Sequence, residues 1–165
     1  MKKVRFMLAV AFIGISVMGT ATAQTIAQKG TVGDCTWTLK SDGVLTISGS
    51  GVIPDFENEK TDAPWYDYRA EIKALVVEDG VVAIGKNAFK HCTAMSSATM
   101  ANTVVAIGEA AFFHCRALKS VTIPSAKAIG RIAFSGCTLL EEVRIPKDCL
   151  LGEASFGGCK KLPQE

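Results

Sequence analysis

A single period dominates the second half of the chain and constrains its fold more than any other feature. Ile84-Gly85 recurs as Ile107-Gly108, Ile129-Gly130 and Leu151-Gly152, at separations of 23, 22 and 22 residues. The same steps connect Ala88-Phe89, Ala111-Phe112, Ala133-Phe134 and Ser155-Phe156. They also connect Cys92, Cys115, Cys137 and Cys159, and then Met95, Leu118, Leu140 and Leu162. Landmarks that keep one phase in this way mark a repeat of supersecondary units. A unit of 22 residues is too short to bury its own Phe, Cys, Leu, Val and Ile. Stacked at about 4.8 Å, successive units give those residues continuous columns and pair their strands into a parallel sheet.

Each unit changes pattern along its length. Leu118-x-x-Val121-x-Ile123-Pro124 and Leu140-x-x-Val143-x-Ile145-Pro146 end in short period-two strands, each stopped by a proline. Proline has no ladder donor and fits just past a strand. Ile72-x-x-Leu75-x-Val77 is an earlier copy with Glu78-Asp79-Gly80 as its turn, and Met95-x-x-Ala98-x-Met100 is the copy with the poorest strand formers. A second apolar step, Val105-x-Ile107 and its equivalents, leads into the glycine, which suits a corner where a side chain would clash or φ must be positive. In Ala-Phe-x-x-Cys the Phe and Cys stand three apart, the spacing that one helical turn places on a common face. Phe89, Cys92, Phe112, Cys115, Phe134, Cys137, Phe156 and Cys159 are therefore the expected structural core of the repeat.

The combined pattern I-G-x-x-A-F-x-x-C-x-x-L-x-x-V-x-I-P resembles the BspA-type leucine-rich repeat of bacterial surface and secreted proteins. It covers residues 72–165, and the last unit stops after Leu162-Pro163, before its Val-x-Ile strand. The resemblance implies an α/β-type solenoid, with short parallel strands and short helical turns. It also implies binding of a host or cell-surface protein, since some such proteins are adhesins. The fold carries many functions, so the resemblance identifies a scaffold before an activity.

Residues 24–71 read as a capping segment, and they too resemble the stretch that opens such arrays. Trp37-x-Leu39 and Leu45-x-Ile47 alternate around Ser41-Asp42-Gly43, the pattern of a β-hairpin. Pro64-Trp65-Tyr66-Asp67-Tyr68 starts a short helix, with proline in its first turn. Trp37 and Trp65 are expected to cover the otherwise open first rung. Gly49-Ser50-Gly51 lacks the later glycine and the Lys-Ser/Thr of a phosphate loop. Ahead of this segment, Lys2, Lys3 and Arg5 precede an apolar run from Met7 to Met18, and Ala21 and Ala23 hold the positions a signal peptidase reads. Residues 1–23 thus have the three parts of a secretory signal peptide, and the run is shorter than a membrane span. The mature chain is expected to be exported, extracellular, cell-surface or periplasmic, with no stable membrane anchor.

The charge and cysteine content narrow the chemistry. The chain has 18 basic and 16 acidic side chains, but residues 1–23 hold three of the basic ones and none of the acidic, leaving 15 against 16. A balance of −1 excludes nucleic acid as a partner attracted by bulk charge. Cys92, Cys115, Cys137 and Cys159 share one repeat phase while Cys35 and Cys149 do not. Small buried thiols between stacked phenylalanines are the favoured reading, with disulfides the alternative that export allows. His91-Cys92 and His114-Cys115 repeat a dipeptide with zinc-ligating side chains, but the cysteines should face inward and the histidines outward, so no metal or other cofactor is expected. The motifs Gly-x-Ser-x-Gly, His-Glu-x-x-His and Cys-x-x-Cys are absent from the sequence, and Asp55-Phe56-Glu57-Asn58-Glu59 reads as a solvated loop. The chain is read as non-enzymatic, with a secreted hydrolase the remote alternative.

What remains is surface. Val76, Thr99, Thr122 and Arg144 should form one outward row on the sheet, with Ala74, Ser97, Ser120 and Glu142 forming a second. A solenoid offers such a face to partners. Thr99, Thr122, Glu142 and Arg144 are therefore candidate protein-binding residues, together with Tyr66, Tyr68 and Arg69 of the cap, residue types enriched in hot spots. A protein partner is expected, with weak self-association through the C-terminal end. The competing reading is a small scaffold without independent binding.

Overall fold

The computed structural model describes residues 25–57 and 63–163. The expected signal peptide lies outside the described residues. Among the described residues, twelve strands form two sheets that wrap one core. The first sheet contains β1 (Ile26–Val32), β2 (Cys35–Lys40), β3 (Val44–Gly49), β5 (Ala74–Val77), β7 (Ser97–Met100), β9 (Ser120–Thr122) and β11 (Glu142–Arg144), in the order β1-β2-β3-β5-β7-β9-β11. The second contains β4 (Gly51–Ile53), β6 (Val81–Ile84), β8 (Ala106–Ile107), β10 (Ala128–Ile129) and β12 (Leu150–Leu151), in the order β12-β10-β8-β6-β4. The apolar step before each glycine is thus a strand of a second sheet.

The repeat sets the register of both sheets. Leu75, Ala98, Val121 and Val143 pair in sequence across the first, and Ile84, Ile107, Ile129 and Leu151 across the second. Every pairing from β3 onward is parallel. A slip by one residue would turn each buried side chain to the outer face, so the two apolar faces lock the register. The weak copy obeys as well. Ser97–Met100 is a full four-residue strand, because its neighbours supply ladder partners that override a poor propensity.

The glycine after each Ile is required by a close approach rather than by φ. A Cβ on Gly108 would stand 2.7 Å from the carbonyl carbon of Gly85, and one on Gly130 would stand 2.7 Å from that of Gly108. Rung backbones meet there and leave no room for a methyl group.

The Ala-Phe-x-x-Cys segments are turns, not helical turns, and the hydrogen bonds give the reason. Asn87, Phe89 and His91 donate their N–H groups to the carbonyls of Glu109, Ala111 and Phe113 of the next rung, the Phe89–Ala111 bond being 2.7 Å long. A helix would turn those donors back along its own axis. Alternate residues must instead take left-handed conformations, with φ of 59° at Asn87, 60° at His91, 49° at Ile132 and 49° at Ala154. Among the described residues the regular helix is confined to one 3-10 turn at Tyr66–Tyr68. The solenoid therefore has parallel strands and tight turns where short helices were expected.

Ring stacking runs through the core. Phe89, Phe112, Phe134 and Phe156 stack with centroids 5.2, 4.9 and 5.2 Å apart. Trp65 continues the column at 5.2 Å from Phe89, fully buried, and its indole N–H donates to Ala88 O at 2.8 Å. Trp37 meets Trp65 edge-on at 6.1 Å. The two tryptophans thus close the first rung. The β2–β3 hairpin lies where Trp37-x-Leu39 and Leu45-x-Ile47 alternate, and Asp42 Oδ1 accepts the Val44 N–H at 3.0 Å in its turn. β1 adds an antiparallel outer strand that Ile-Ala-Gln-Lys-Gly-Thr-Val, lacking alternation, does not announce.

Candidate binding surface

Residues that alternate outward from the first sheet line up across it. Val76 pairs with Thr99, Thr99 with Thr122, and Thr122 with Arg144. The parallel row is Ala74, Ser97, Ser120 and Glu142. The cap lengthens the first row, because Thr46 pairs with Val76 and Thr38 with Thr46. Thr36 and Ser48 bond through their hydroxyls at 2.9 Å in the next row. Sequence reasoning missed this extension. The alternation in Trp37-Thr38-Leu39 and Leu45-Thr46-Ile47 carries the signal, but the parallel pairing of β3 with β5 is what joins the hairpin to the repeats.

Charge enters the face at its two edges, where Arg144 Nε donates to Glu142 Oε1 at 2.7 Å on β11 and Lys29 of β1 pairs with Thr38 at the cap. The rest is hydroxyl and small apolar surface, with Val76 37 % exposed. A shallow depression of about 480 Å³ lies at one end of the strands, lined by Val76, Glu78, Asp79, Thr99 and Met100 among others. Such a face can hold an extended or flat partner through backbone and hydroxyl contacts, but supplies no deep pocket for an aromatic anchor.

The cap residues do not join that face. The Arg69 guanidinium lies 4.2 Å over the Tyr66 ring, Lys90 Nζ lies 5.5 Å from the same ring, and Arg69 also donates to Tyr66 O at 2.9 Å. These groups adjoin the histidine pair, whose rings meet at 5.6 Å. Tyr68 is half-buried against the core, 6.4 Å from the Trp37 ring, so packing occupies much of it. Burial lowers the His91 pKa, and the neighbouring His114, Lys90, Arg69 and Arg116 lower it further. The candidate residues thus divide between a hydroxyl-rich sheet face, charged at its edges, and a basic aromatic corner.

The cysteines face the other way. Cys115, Cys137 and Cys159 are buried, and their thiols donate to the carbonyls of Phe89, Phe112 and Phe134 at 3.1, 3.3 and 3.2 Å. Each thiol thereby ties one rung to the one before it. All six cysteines are free. Burial pushes the Cys92 thiol up to about 12 and the Cys159 thiol up to about 11. The neighbouring Cys115 thiol, followed by burial, holds Cys137 far above the ordinary thiol range. Such thiols are neutral and unreactive at neutral pH.

The profile of the BspA type Leucine rich repeat region matches residues 64–164 in six copies. The chain belongs to that family. Among solved structures, a leucine-rich repeat protein from Eubacterium ventriosum ATCC 27560 is similar at 23 % identity and a TM-score of 0.50, over 73 % of this chain and 45 % of its own. Another, from Bacteroides ovatus ATCC 8483, is 29 % identical with a TM-score of 0.50, over 55 % of this chain and 24 % of its own. The chain therefore spans less than half the length of either. No curated protein matches it. Membership in the BspA-type family points to a protein-interaction or surface role, and leucine-rich-repeat proteins are generally binding modules rather than enzymes. Among the described residues, no helix is long and apolar enough to cross a membrane.

Proposed function

We propose that this BspA-type protein is an exported, adhesin-like module that binds a host or cell-surface protein across the outer face of its first sheet. The observation that carries the reading is the continuous row Thr38, Thr46, Val76, Thr99 and Thr122, held in register by five strands over a stacked core. A rigid ladder loses little conformational entropy when it orders a partner, which favours binding by a face without large anchors. Weak self-association through the C-terminal end belongs to the same reading.

The test uses fluorescently labelled protein lacking residues 1–23, applied to cultured host cells with and without protease shaving. Thr99→Glu/Thr122→Glu places two charges in the middle of the face, and Tyr66→Ala/Arg69→Ala strips the basic corner. The expected result is at least a tenfold loss of cell binding for the sheet pair, a smaller loss for the corner pair, and abolition by shaving. Equal binding by wild type and the sheet pair would overturn the assigned face. The small, neutral residues over the middle rungs of the rows favour a second reading, a scaffold without a partner of its own; absence of wild-type binding would support it.

A further inference from the structure

The last described rung departs from the others at positions the repeat makes equivalent. Ile84, Ile107 and Ile129 are 1 %, 3 % and 2 % exposed, whereas Leu151 in the same phase is 54 % exposed. Leu150 beside it is 73 % exposed and Leu139 of the preceding turn 40 %. Phe156 is only partly buried, although Phe134 below it is fully covered. Among the described residues, β11 and β12 are paired on one side only. An open edge flanked by apolar side chains is a template for another strand.

The backbone of β11 shows which groups that template offers. The Glu142 N–H donates to Lys119 O at 3.0 Å, and Arg144 O accepts the Ile123 N–H at 2.8 Å. Residues 142 and 144 therefore direct their backbone groups to β9. Alternation leaves the N–H and C=O of Val143 on the open side. The side chains alternate too: Val143 packs against the core, while Glu142 and Arg144 lie on the outer face.

We infer that β11 is a self-complementary edge, through which two copies of this chain join tail to tail by antiparallel pairing about Val143. This inference rests on the self-association proposed above and gives it a register. In that arrangement the two Val143 residues exchange both of their hydrogen bonds across a two-fold axis. Glu142 of each copy then stands directly opposite Arg144 of the other. Opposite charges facing each other across strands are favourable, whereas like charges there are destabilising. A two-fold contact uses the same patch twice and closes as a dimer; pairing of β11 with β1 of another copy would leave free edges and propagate. The exposed Leu150 and Leu151 lie at the same end and give the contact apolar area.

The core residues among the described ones lie between Val32 and Cys159, beyond the expected signal peptide, so the test uses protein without residues 1–23. Sedimentation velocity over a wide concentration range reads association, with circular dichroism confirming that each variant is folded. Wild type is expected to pass from monomer to dimer as concentration rises. Glu142→Arg alone and Arg144→Glu alone each set like charges opposite one another twice per dimer, and each should weaken dimerisation about tenfold. An equimolar mixture of the two variants makes every facing pair opposite again, although each strand still carries two like charges of its own. The mixture should therefore recover wild-type association. A wild type that stays monomeric up to its solubility limit would overturn both the self-association and this edge. Association that is indifferent to Glu142→Arg, or a mixture no better than its parts, would overturn the β11 register and leave self-association standing. Growth beyond a dimer would overturn the closed contact.

Discussion

Replacing Phe134 by alanine tests the stacked column where it is most constrained. Phe134 is fully buried, with Phe112 at 4.9 Å on one side and Phe156 at 5.2 Å on the other. Removing a buried Phe costs about 3–5 kcal/mol through lost transfer energy and the cavity left behind. Losing two stacked neighbours places Phe134→Ala near the upper end of that range, at ~4–5 kcal/mol. Phe156→Ala removes a partly exposed ring with one stacked neighbour, and the cost should be about half as large. Against a total stability of about 5–15 kcal/mol, the first change is severe and the second tolerable. Urea unfolding at low micromolar protein, followed by tryptophan fluorescence and circular dichroism, separates them. Trp65 reports the cap end, because it is stacked on Phe89. In a solenoid the rungs are coupled through neighbours, so Phe134→Ala should also unlink the two signals, with circular dichroism falling at lower urea than fluorescence. Equal destabilisation by the two variants, or a larger effect of Phe156→Ala, would refute the continuous column.

Four further outcomes follow from local geometry and burial. Ile132 is a β-branched residue at φ 49°, so Ile132→Asn, better suited to the left-handed region, should raise stability by about 0.5–1 kcal/mol, read as a higher thermal midpoint. Gly108→Ala should instead lose more than about 2 kcal/mol in the same assay, because its Cβ would meet the Gly85 backbone at 2.7 Å. Cys149 is the only one of the six free cysteines that is not buried, so alkylation of native protein at pH 8 should label it first, with the other five protected until unfolding, as counted by mass spectrometry. The thiols of Cys92 and Cys159 are raised from 9.0 to about 12 and about 11, which means the folded state holds them neutral. Their contribution is fully present below pH 9 and is lost as pH rises toward 11 to 12, where the unfolded chain gains from ionisation first. Urea midpoints measured between pH 8 and 10.5 should fall, and fall less steeply for Cys159→Ala.

The phase of the repeat, its inward columns and its family resemblance were legible before any coordinates, because each depends only on spacing. Phe-x-x-Cys at a fixed interval announces a column whichever turn carries it. The type of turn was not legible. Phe and Cys three apart suit a helix, but here alternate N–H groups point to the next rung, and that ladder exists only once two rungs are stacked. Propensity failed for the same reason at Ser97–Met100, where ladder partners on both sides make a strand of poor strand formers.

The candidate face shows the same division. Alternation within each strand was enough to assign Thr99, Thr122 and Arg144 to one outward row. That Thr38 and Thr46 extend it, and that Tyr66 and Arg69 sit instead with Lys90 and the histidines, depended on how the cap docks. A local pattern determines which way a side chain faces from its own strand. Which distant strand comes to lie beside it is decided by hydrogen-bonded edges and shared burial, and these are properties of the assembled solenoid alone.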